Sequence, residues 1–545
     1  AYACEMDALA LTDTDAMHAV VPFTEACAKL GIRPIYGAEL TGEDGPTFLR
    51  AVLLARNRMG YSEISKLVTR RRLDEDFDFG EALDGVSDNI YVLVSHELLL
   101  TRLRHLDNLR AALPVAPGHG RDRERWRIAN AARSLGVETV AAGGIWFLEG
   151  KEHLIHRVLT AIRTRTTIGT LPRGEVVPKD SFFRTPDSVM KVFEGNEEPV
   201  IEAARIAADC RVDLDLGRRR LPEFLLPPGE DASVTLRRIA LRGLRERMGD
   251  GCPYDEKRAA MEKIDHELSV IEDKGLAGYF LICWDIVRFA RSRGIRTLGR
   301  GSAGNSLVSY ALGITHFNPL RHNMFFERFL NPEREHLPDF DLDFGTDDRE
   351  IILNYIFRRY GKDHVAMIGT FSTLRARSAL RETAKAMGIP EGEIRQFIRA
   401  IPFYASIDRL DHLAKVSPRA AGLPVDREPF RTLIAIARKI GGFPRHMATH
   451  PCGLVVSPEP ITGMIPMQRG DKGYEITQWS MYEVEEAGLV KIDIIGQKGL
   501  AVIGEACAMA EENEGMPLHP ERIDYLGDEK TKKLLRTGRT EGCFY

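Results

Sequence analysis

The chain has 545 residues, of which 44% are hydrophobic, and its formal net charge is −4, with 75 Lys and Arg residues against 79 Asp and Glu residues. A single hydrophobic core rarely grows beyond about 250–300 residues, so this length predicts several domains. The balanced charge excludes a strongly basic protein, and any contact with a polyanion must come from local groups of Arg and Lys.

The cysteines and the apolar segments further limit the classes of protein to which this chain can belong. The 8 cysteines are scattered and form no C-x-x-C pair. This pattern is typical of a reduced cytosolic protein rather than a disulfide scaffold or a zinc module. The longest apolar runs, such as residues 279–284, are too short to cross a membrane. We therefore expect a cytoplasmic protein without membrane contact.

The N-terminal part alternates between strand and helix patterns. Strands are predicted at residues 9–13, 34–39, 90–95 and 138–142, and helices at residues 16–30 and 121–135. Strands that alternate with helices predict a parallel α/β domain. Polar, Pro-rich stretches at residues 172–179 and 221–229 predict its end and a linker.

A Gly-rich turn follows a helical region in the middle of the chain. Residues 232–293 predict helices, the last of which covers residues 264–293, and the turn occupies residues 299–306. Small residues let successive backbone N–H groups approach an anion, so the turn is a candidate phosphate-binding nest with Arg300 beside it. A tight turn with a purely structural role explains the same residues.

An acidic strand is predicted at residues 337–344, which read L-P-D-F-D-L-D-F. Side chains of a strand alternate between its faces, so Asp339, Asp341 and Asp343 share one face. Carboxylates this close repel one another unless protons, cations or water offset their charge. The alternatives are a solvated edge strand and a Mg²⁺ site, since Mg²⁺ binds carboxylate oxygens and leaves positions free for substrate phosphates.

The C-terminal part returns from helices to strands. Helices are predicted at residues 349–360 and 373–387, in an Arg-bearing stretch to about residue 442 and at residues 499–513, and strands at residues 453–457 and 489–495. In the last strand, Lys491 and Asp493 share a face. A buried acid in an apolar strand needs a cation or a donor, so the pair is either a structural ion pair or part of a metal and phosphate site.

The turn, the acidic strand and the Lys491–Asp493 pair together indicate one chemistry. Carboxylates that hold two Mg²⁺ ions promote in-line phosphoryl displacement by stabilising the attacking and leaving oxygens. A backbone nest orients a triphosphate, and nearby Arg and Lys residues neutralise the developing charge. The expected reaction is nucleotidyl transfer.

Longer motifs carry a family resemblance. They read G-R-G-S at residues 299–302, F-E-R-F-L-N-P-E-R at 326–334, P-D-F-D-L-D-F at 338–344, H-P-C-G at 450–453 and G-L-V-K-I-D at 488–493. In their order and spacing they resemble the bacterial DNA polymerase III alpha subunit, a family C DNA polymerase. The resemblance implies an α/β multidomain protein, with a PHP-type α/β barrel followed by a polymerase-β-like nucleotidyltransferase palm and an inserted helical thumb.

The resemblance also implies domain boundaries. It predicts a PHP domain at residues 1–215, a palm at 216–372 and 446–500, a thumb at 373–445 and the start of the fingers at 501–545. The chain begins at Ala1 and stops at Tyr545 within a family motif, so we expect a fragment that is truncated in the PHP domain and the fingers. Many phosphate contacts set affinity for DNA, so this piece alone is expected to bind primer-template weakly.

Site residues follow by matching this chain to the family motifs. Asp341, Asp343 and Asp493 match the catalytic acids that hold two Mg²⁺ ions, and Asp339 matches an auxiliary acid. The residues matched to nucleotide binding are Gly301, Ser302, Arg300, Lys491, Arg328, Arg334, Arg377 and Arg381. For each arginine alone, a surface ion pair is the alternative. The implied partners are primer-template DNA, a deoxynucleoside triphosphate, and a sliding clamp and other replisome subunits bound through regions outside this chain.

The PHP region departs from the family pattern. Metal-binding members carry an early His-x-His, a Thr-Asp-His, a Gly-x-Glu and an Asp-x-His, whereas this chain has Thr14 in place of a histidine and Gly144-Ile145-Trp146 in place of the last motif. Only Asp13 and Glu39 match ligand positions. Two acids without imidazoles bind transition metals poorly, so the PHP domain is predicted to be a metal-free scaffold without proofreading activity.

Three functions are therefore compared. The presence of all three acids favours a DNA-dependent DNA polymerase that acts in replication or error-prone repair synthesis. A catalytically inactive polymerase-like scaffold is disfavoured because Asp341, Asp343 and Asp493 are all present. A PHP-type phosphoesterase is disfavoured by Thr14, Gly144 and Trp146. The altered PHP site slightly favours an error-prone paralogue over the main replicase.

Overall fold

A computed structural model describes residues 1–44, 47–172, 174–331, 333, 337–402, 405–416, 423–515, 518 and 527–541. The strands are β1 (Ala8–Leu11), β2 (Arg33–Asp44), β3 (Thr47–Ala55), β4 (Ile90–Val94), β5 (Leu109–Leu113), β6 (Thr139–Ala141), β7 (Thr297–Arg300), β8 (Phe340–Gly345), β9 (Val365–Thr373), β10 (Pro444–Val456), β11 (Met467–Arg469), β12 (Glu475–Thr477) and β13 (Lys491–Gln497).

The α-helices are α1 (Val20–Leu30), α2 (Arg58–Leu73), α3 (Phe79–Asp84), α4 (Glu97–Leu103), α5 (His119–Leu135), α6 (His153–Thr164), α7 (Pro186–Val192), α8 (Glu198–Asp209), α9 (Ala232–Met248), α10 (Tyr254–Asp273), α11 (Ala277–Ser292), α12 (Leu307–Ala311), α13 (Asp348–Tyr360), α14 (Ala376–Ala386), α15 (Glu391–Ala400), α16 (Leu410–Val416), α17 (Phe430–Ile440), α18 (Met481–Glu486), α19 (Lys498–Glu514) and α20 (Glu529–Thr537). Within the described ranges, each helix is too short or too polar to span a lipid bilayer.

The chain divides into two compact units. The first contains Ala1–Leu214, Gly369–Ala448 and Thr462–Gly473, and the second contains Asp215–Ile368, Thr449–Ile461 and Tyr474–Tyr545. The protein is thus of mixed α/β class, with a β-sheet in each unit.

The first unit contains a mixed sheet in the order β1-β2-β3-β4-β5-β6. Strand β1 is parallel to β2, and β4–β6 are parallel to one another, but β3 is antiparallel to both β2 and β4. The prediction of a parallel domain is therefore wrong for the centre of this sheet. The reason is that β3 follows β2 almost directly, and parallel neighbours need a long crossover connection.

Helices cover the sheet of the first unit. Ile206 and Cys210, at the end of α8, pack with Ile35, Leu54 and Tyr91 in one buried cluster. Helix α2 lies against β2 and β3. Burial of apolar side chains from both elements stabilises this arrangement, at about 25 cal/mol per Å² of apolar area removed from water.

A helical cluster of the first unit contains most of the predicted thumb. Helices α14, α15 and α17 bury Leu380, Phe397, Leu433 and Ala437 in a common core. Helix α6 packs against α14 and α17 and contributes Leu159 to that core. This stretch is therefore helical, as predicted, while its boundaries as a domain stay a prediction.

The second unit is built around a sheet in which β12, β9, β10, β13, β8 and β7 follow one another in that order. Strand β8 is parallel to β13 and antiparallel to β7, and β13 is antiparallel to β10. The acidic strand β8 therefore lies inside the sheet, with a neighbour on each side. The interpretation of this sequence as a solvated edge strand is therefore wrong.

The helix predicted at residues 264–293 is two helices. Helix α10 ends at Asp273 and α11 begins at Ala277. Between them, Gly275 has φ of +69° and its N–H donates to the carbonyl of Glu272 at 2.8 Å. A left-handed residue after a helix is the usual way in which a glycine ends it.

An aromatic cluster packs against β8 on the face opposite to its carboxylates. Phe340 on β8 is fully buried, and its ring centroid lies 5.2 Å from Tyr279, 5.0 Å from Phe280 and 5.2 Å from Phe329. Aromatic rings at these separations pack favourably edge to face. The cluster fixes the face of β8 opposite to its carboxylates.

Candidate active site

A single row of residues crosses neighbouring strands of the second unit. Arg300 on β7 pairs with Asp341 on β8, Asp341 pairs with Asp493 on β13, and Asp493 pairs with Gly453 on β10. Directly paired residues of adjacent strands project from the same face of a sheet. Asp343, two residues after Asp341, joins the same face. The structure thus brings together the three acids that the sequence resemblance matched to catalysis. Asp341, Asp343 and Asp493 form what we call the acidic row.

The three carboxylates differ in burial. Asp343 is 3% exposed and Asp493 is 8% exposed, whereas Asp341 is half-buried. The alternate residues of β8 and β13, such as Phe344 and Ile492, are fully buried on the opposite face. A sheet with one apolar and one charged face therefore holds three acids close together where little water can reach them.

Arg300 is the cation that contacts Asp343. Its Nε donates to Oδ1 of Asp343 at 3.0 Å, while about half of the Arg300 side chain stays exposed. Burial raises the pKa of Asp343, and the hydrogen bond and positive charge of Arg300 oppose that rise. An ion pair between a buried acid and a half-exposed arginine leaves guanidinium N–H groups at the rim of the site.

Lys491 is the cation that contacts Asp493. Its Nζ donates to Oδ2 of Asp493 at 3.1 Å and lies 3.6 Å from Oδ2 of Asp339. Burial alone lowers the pKa of Lys491, but the charges of Asp339 and Asp493 outweigh that effect and raise it. Lys491 is therefore charged at neutral pH and holds one oxygen of Asp493.

Asp341 and Asp493 oppose each other electrostatically. Burial raises the pKa of Asp341, the negative charge of Asp493 raises it further, and Arg300 and Lys491 only partly offset these effects. The second carboxylate oxygen of Asp493, Oδ1, is buried and has no hydrogen-bond partner among the described residues. A buried charged oxygen without a partner is costly, so the pair of acids favours binding of a cation.

The Gly-rich turn begins directly beside Asp341. Gly301 has φ of +72°, and a Cβ atom built on it would lie 3.0 Å from Oδ2 of Asp341. Glycine is thus the residue that reaches this backbone conformation without strain and leaves room beside the carboxylate. Ser302 is exposed in the same turn, where its carbonyl accepts the side-chain N–H of Asn305 at 2.9 Å. The role of the turn as a phosphate nest stays a prediction.

Glu267 is a functional candidate that sequence reasoning missed. This fully buried carboxylate on α10 accepts the Ser306 hydroxyl at 2.8 Å. It also accepts the backbone N–H groups of Leu307 at 2.9 Å and Val308 at 3.0 Å. Burial raises the pKa of Glu267 to about 7 against these hydrogen bonds. Glu267 thereby anchors the end of the Gly-rich turn, and its signal in the sequence was an acid on the apolar face of a helix beside Ile264.

Tyr279 is a second residue that sequence reasoning missed. Its hydroxyl accepts the N–H of Phe340 at 3.2 Å and donates to the carbonyl of Lys491 at 2.9 Å. Phe340 immediately precedes Asp341 on β8, and Lys491 lies two residues before Asp493 on β13. A fully buried phenol therefore bridges the two strands at the start of the acidic row, and complete burial raises its pKa well above the ordinary value.

The remaining arginines matched to nucleotide binding are dispersed. Arg328 is exposed in the second unit, at the end of the short 3₁₀ helix Phe326–Arg328. Arg377 and Arg381 lie on α14 in the first unit. Arg334 lies outside the described residues. For these four side chains, the nucleotide-binding role stays a prediction.

The two acids of the PHP region lie in the first unit. Oε2 of Glu39 accepts the hydroxyl of Thr14 at 2.7 Å and a guanidinium N–H of Arg50 at 2.9 Å. Burial raises the pKa of Asp13. Glu39 is therefore neutralised by an arginine and held by the threonine that stands in place of a histidine.

Two family models match separate parts of the chain. Residues 1–134 match the PHP domain, and residues 234–496 match the bacterial DNA polymerase III alpha NTPase domain. The second range contains the three acids, the Gly-rich turn and both cations of the cluster. The chain belongs to the bacterial DNA polymerase III alpha family. The resemblance seen in the sequence is confirmed.

The curated relatives that match the chain are named as DNA polymerases. The chain is 34% identical to the DNA polymerase III subunit alpha of Halalkalibacterium halodurans over 576 aligned positions, which cover 100% of this chain and 50% of that protein. It is 32% identical to the subunit alpha of Bacillus subtilis, covering 98% and 49%. It is 31% identical to the error-prone DNA polymerase of Symbiobacterium thermophilum, covering 99% and 52%. The chain spans about half the length of these curated relatives.

Proposed function

We propose that the protein containing this chain is a DNA-dependent DNA polymerase. It transfers a nucleotide from a deoxynucleoside triphosphate to the 3′-hydroxyl of a primer paired with a template and releases pyrophosphate. The observation that carries the proposal is the placement of Asp341, Asp343 and Asp493 on one face of a sheet, with Gly301 directly beside Asp341. Membership of the polymerase III alpha family supports it.

The donor set fits Mg²⁺. Three carboxylates supply hard oxygen ligands, and the part of the chain that the structure describes offers no hydrogen-bond partner to the buried Oδ1 of Asp493. The pKa of Asp341 is raised by burial and by the neighbouring charge, and a divalent cation between these acids relieves that repulsion. Asp341, Asp343 and Asp493 would hold the two ions. When bound, Mg²⁺ supplies a Lewis acid that activates the attacking hydroxyl and stabilises the leaving oxygen.

The residues around the acids have distinct tasks in this proposal. Arg300 and Lys491 each hold one oxygen of a neighbouring acid, which restricts the orientation of Asp343 and Asp493. Their remaining N–H groups attract the triphosphate and neutralise charge that develops during transfer. Gly301 leaves the space beside Asp341 clear for the substrate. Glu267 and Tyr279 are positioning residues that fix the turn and the two strands.

The finer architecture belongs to the same proposal. We place a PHP-type α/β barrel at residues 1–215, a polymerase-β-like palm at 216–372 and 446–500, an inserted helical thumb at 373–445 and the start of the fingers at 501–545. The separation of residues 369–448 from the acidic row into the first unit supports a palm interrupted by an insertion. The PHP region then serves as a scaffold, and a sliding clamp and other replisome subunits bind elsewhere on the protein.

Primer extension tests the proposal. The protein that contains this chain is incubated with a labelled primer-template, Mg²⁺ and one complementary deoxynucleoside triphosphate. We expect template-directed addition of one nucleotide with an equal amount of pyrophosphate, and no addition with Asp341→Asn. Binding of primer-template without extension would identify a scaffold, and release of inorganic phosphate without extension would identify a phosphoesterase.

A further inference from the structure

A second set of possible metal ligands shares Asp493 with the acidic row. His450 and Cys452 on β10 lie next to this acid, and one ligand atom from each of the three residues lies within 4.8 Å of the others. We propose that His450, Cys452 and Asp493 form a site for Zn²⁺ or a similar borderline-soft divalent ion, which shares Asp493 with the carboxylate site for Mg²⁺.

The geometry is close to that of a zinc site before metal binds. Sγ of Cys452 and Nδ1 of His450 are 3.8 Å apart. Zinc bonds of about 2.3 Å to sulfur and about 2.0–2.1 Å to nitrogen, in a tetrahedron, place such atoms about 3.5 Å apart. A small shift of two side chains is therefore sufficient, and β10 holds both of them from one short segment.

Gly453 keeps the space between the ligands clear. A Cβ atom built on Gly453 would lie 2.8 Å from Nδ1 of His450 and 3.3 Å from Oδ1 of Asp493. A side chain at position 453 would thus crowd the imidazole and the carboxylate. Within the described ranges, Oδ1 of Asp493 has no hydrogen-bond partner, although the residue is only 8% exposed. The oxygen without a partner therefore lies beside the space that Gly453 leaves open.

The chemistry of the donors selects the ion. Thiolate and imidazole ligands favour zinc over magnesium, which prefers oxygen. The form of cysteine that binds zinc is the thiolate. Zinc binding forms a Zn–S bond, breaks the S–H bond and releases that proton to the buffer. Nδ1 of His450 now accepts the N–H of Gly453 at 2.7 Å, and zinc bound at this atom replaces that hydrogen bond.

Occupation of this site has a consequence that rests on the proposed function. Because Lys491 holds Oδ2 of Asp493, Zn²⁺ and Mg²⁺ compete for Oδ1. Zinc bound by His450 and Cys452 therefore removes one carboxylate from the polymerase site and inhibits nucleotide transfer in competition with magnesium. Binding of zinc itself does not depend on that function.

Cobalt substitution tests binding directly. Co²⁺ is titrated into the metal-free 545-residue chain, where a thiolate ligand produces a near-ultraviolet charge-transfer band. We expect this band in the unsubstituted chain and in Cys252→Ser, a matched variant of another partly buried cysteine of the second unit. We expect its loss in Cys452→Ser and in His450→Gln. A band that persists in Cys452→Ser, or no band in the unsubstituted chain, would overturn the proposal.

Two further measurements separate binding from function. X-ray absorption of the zinc-loaded, unsubstituted chain is expected to show one sulfur ligand at about 2.3 Å. Because no substitution is made, this measurement does not depend on whether a variant folds. In primer extension at fixed Mg²⁺, the zinc concentration for half-inhibition is expected to rise in Cys452→Ser. If the protein extends no primer but the cobalt band obeys the pattern above, the proposed function fails and the zinc site stands. Equal inhibition of Cys452→Ser and the unsubstituted protein would contradict the competition with magnesium.

Discussion

Asp341 and Asp493 lie directly opposite each other on the parallel strands β8 and β13, although they are far apart in the sequence. This pairing completes the acidic row, because Asp343 follows on the same face of β8. The register of two strands, held by the Tyr279 hydroxyl and a buried aromatic cluster, therefore creates the charge density of the site. The predictions below test the groups that hold this arrangement.

Arg300→Gln removes the cation that opposes the rise in the pKa of Asp343. The pKa of Asp343 then rises further, so a proton competes with a metal ion for this acid at higher pH than in the unsubstituted protein. We expect the acidic limb of the pH–rate profile for primer extension to move to higher pH. On this acidic limb we expect kcat/KM to fall by about tenfold or more, since a charged hydrogen bond is worth about 1.5–3 kcal/mol.

The matched control for Arg300→Gln is Arg293→Gln, which alters an exposed arginine at the end of α11. Its profile should coincide with that of the unsubstituted protein. Arg300→Lys keeps the charge and should restore much of the profile. An unchanged acidic limb in Arg300→Gln would show that this arginine does not control Asp343.

Tyr279→Phe removes the hydroxyl that bridges β8 and β13. The buried N–H of Phe340 and the carbonyl of Lys491 each lose a hydrogen-bond partner. We expect the free energy of unfolding to fall by about 1–3 kcal/mol, the cost of leaving such a group unsatisfied. Urea denaturation measures the change. Tyr254→Phe, at a tyrosine that is 78% exposed, is the control, and equal stability of the two variants would contradict the bridging role.

Glu267 makes stability depend on pH. Its ordinary pKa of 4.5 applies to the unfolded chain, and burial raises it to about 7 in the folded chain. Between these values the folded state binds more protons than the unfolded state, so stability falls as pH rises from about 4.5 to 7 and then levels off. Relative to Glu267→Gln, the unsubstituted protein should lose up to about 3 kcal/mol across this range.

Urea denaturation at several pH values measures the Glu267 effect. Glu262→Gln, which alters an exposed acid on the same helix, should follow the pH dependence of the unsubstituted protein. A difference between the unsubstituted protein and Glu267→Gln that stays constant from pH 5 to pH 8 would show that Glu267 does not titrate in this range.

The acids of the PHP region should not contribute to metal binding. Glu39 already pairs with Arg50 and Thr14, so it has little capacity left for a cation. We expect the double variant Asp13→Asn, Glu39→Gln to bind as many Mn²⁺ ions as the unsubstituted chain, measured by electron paramagnetic resonance of free Mn²⁺. Loss of one or more bound ions in the double variant would show a metal site in the first unit.

Local sequence patterns were sufficient for part of the site. The period-two alternation of β8 placed Asp341 and Asp343 on one face, and the structure has the apolar residues beneath them fully buried. The same reasoning paired Lys491 with Asp493, which are in contact. These inferences succeeded because they depend only on backbone geometry within one strand.

Other features depend on contacts between distant segments, which a local pattern does not contain. The mixed sheet of the first unit was missed because β3 was not recognised as a strand between β2 and β4. The donors that face Glu267 come from a later turn, and the space above Gly453 depends on β13. The end of α10 was missed because a single glycine within a helical pattern is tolerated as often as it ends a helix.

Single-turnover nucleotide incorporation by four aspartate variants is the most direct test of the acidic row as a polymerase site. For Asp341→Asn, Asp343→Asn and Asp493→Asn we expect the rate to fall by about 10²–10³-fold or more, the usual effect of removing one preorganised electrostatic group. Asp339→Asn, which alters the half-exposed acid beside Lys491, should lose less than about tenfold by the same reasoning. Incorporation by Asp493→Asn at the unsubstituted rate would contradict the account.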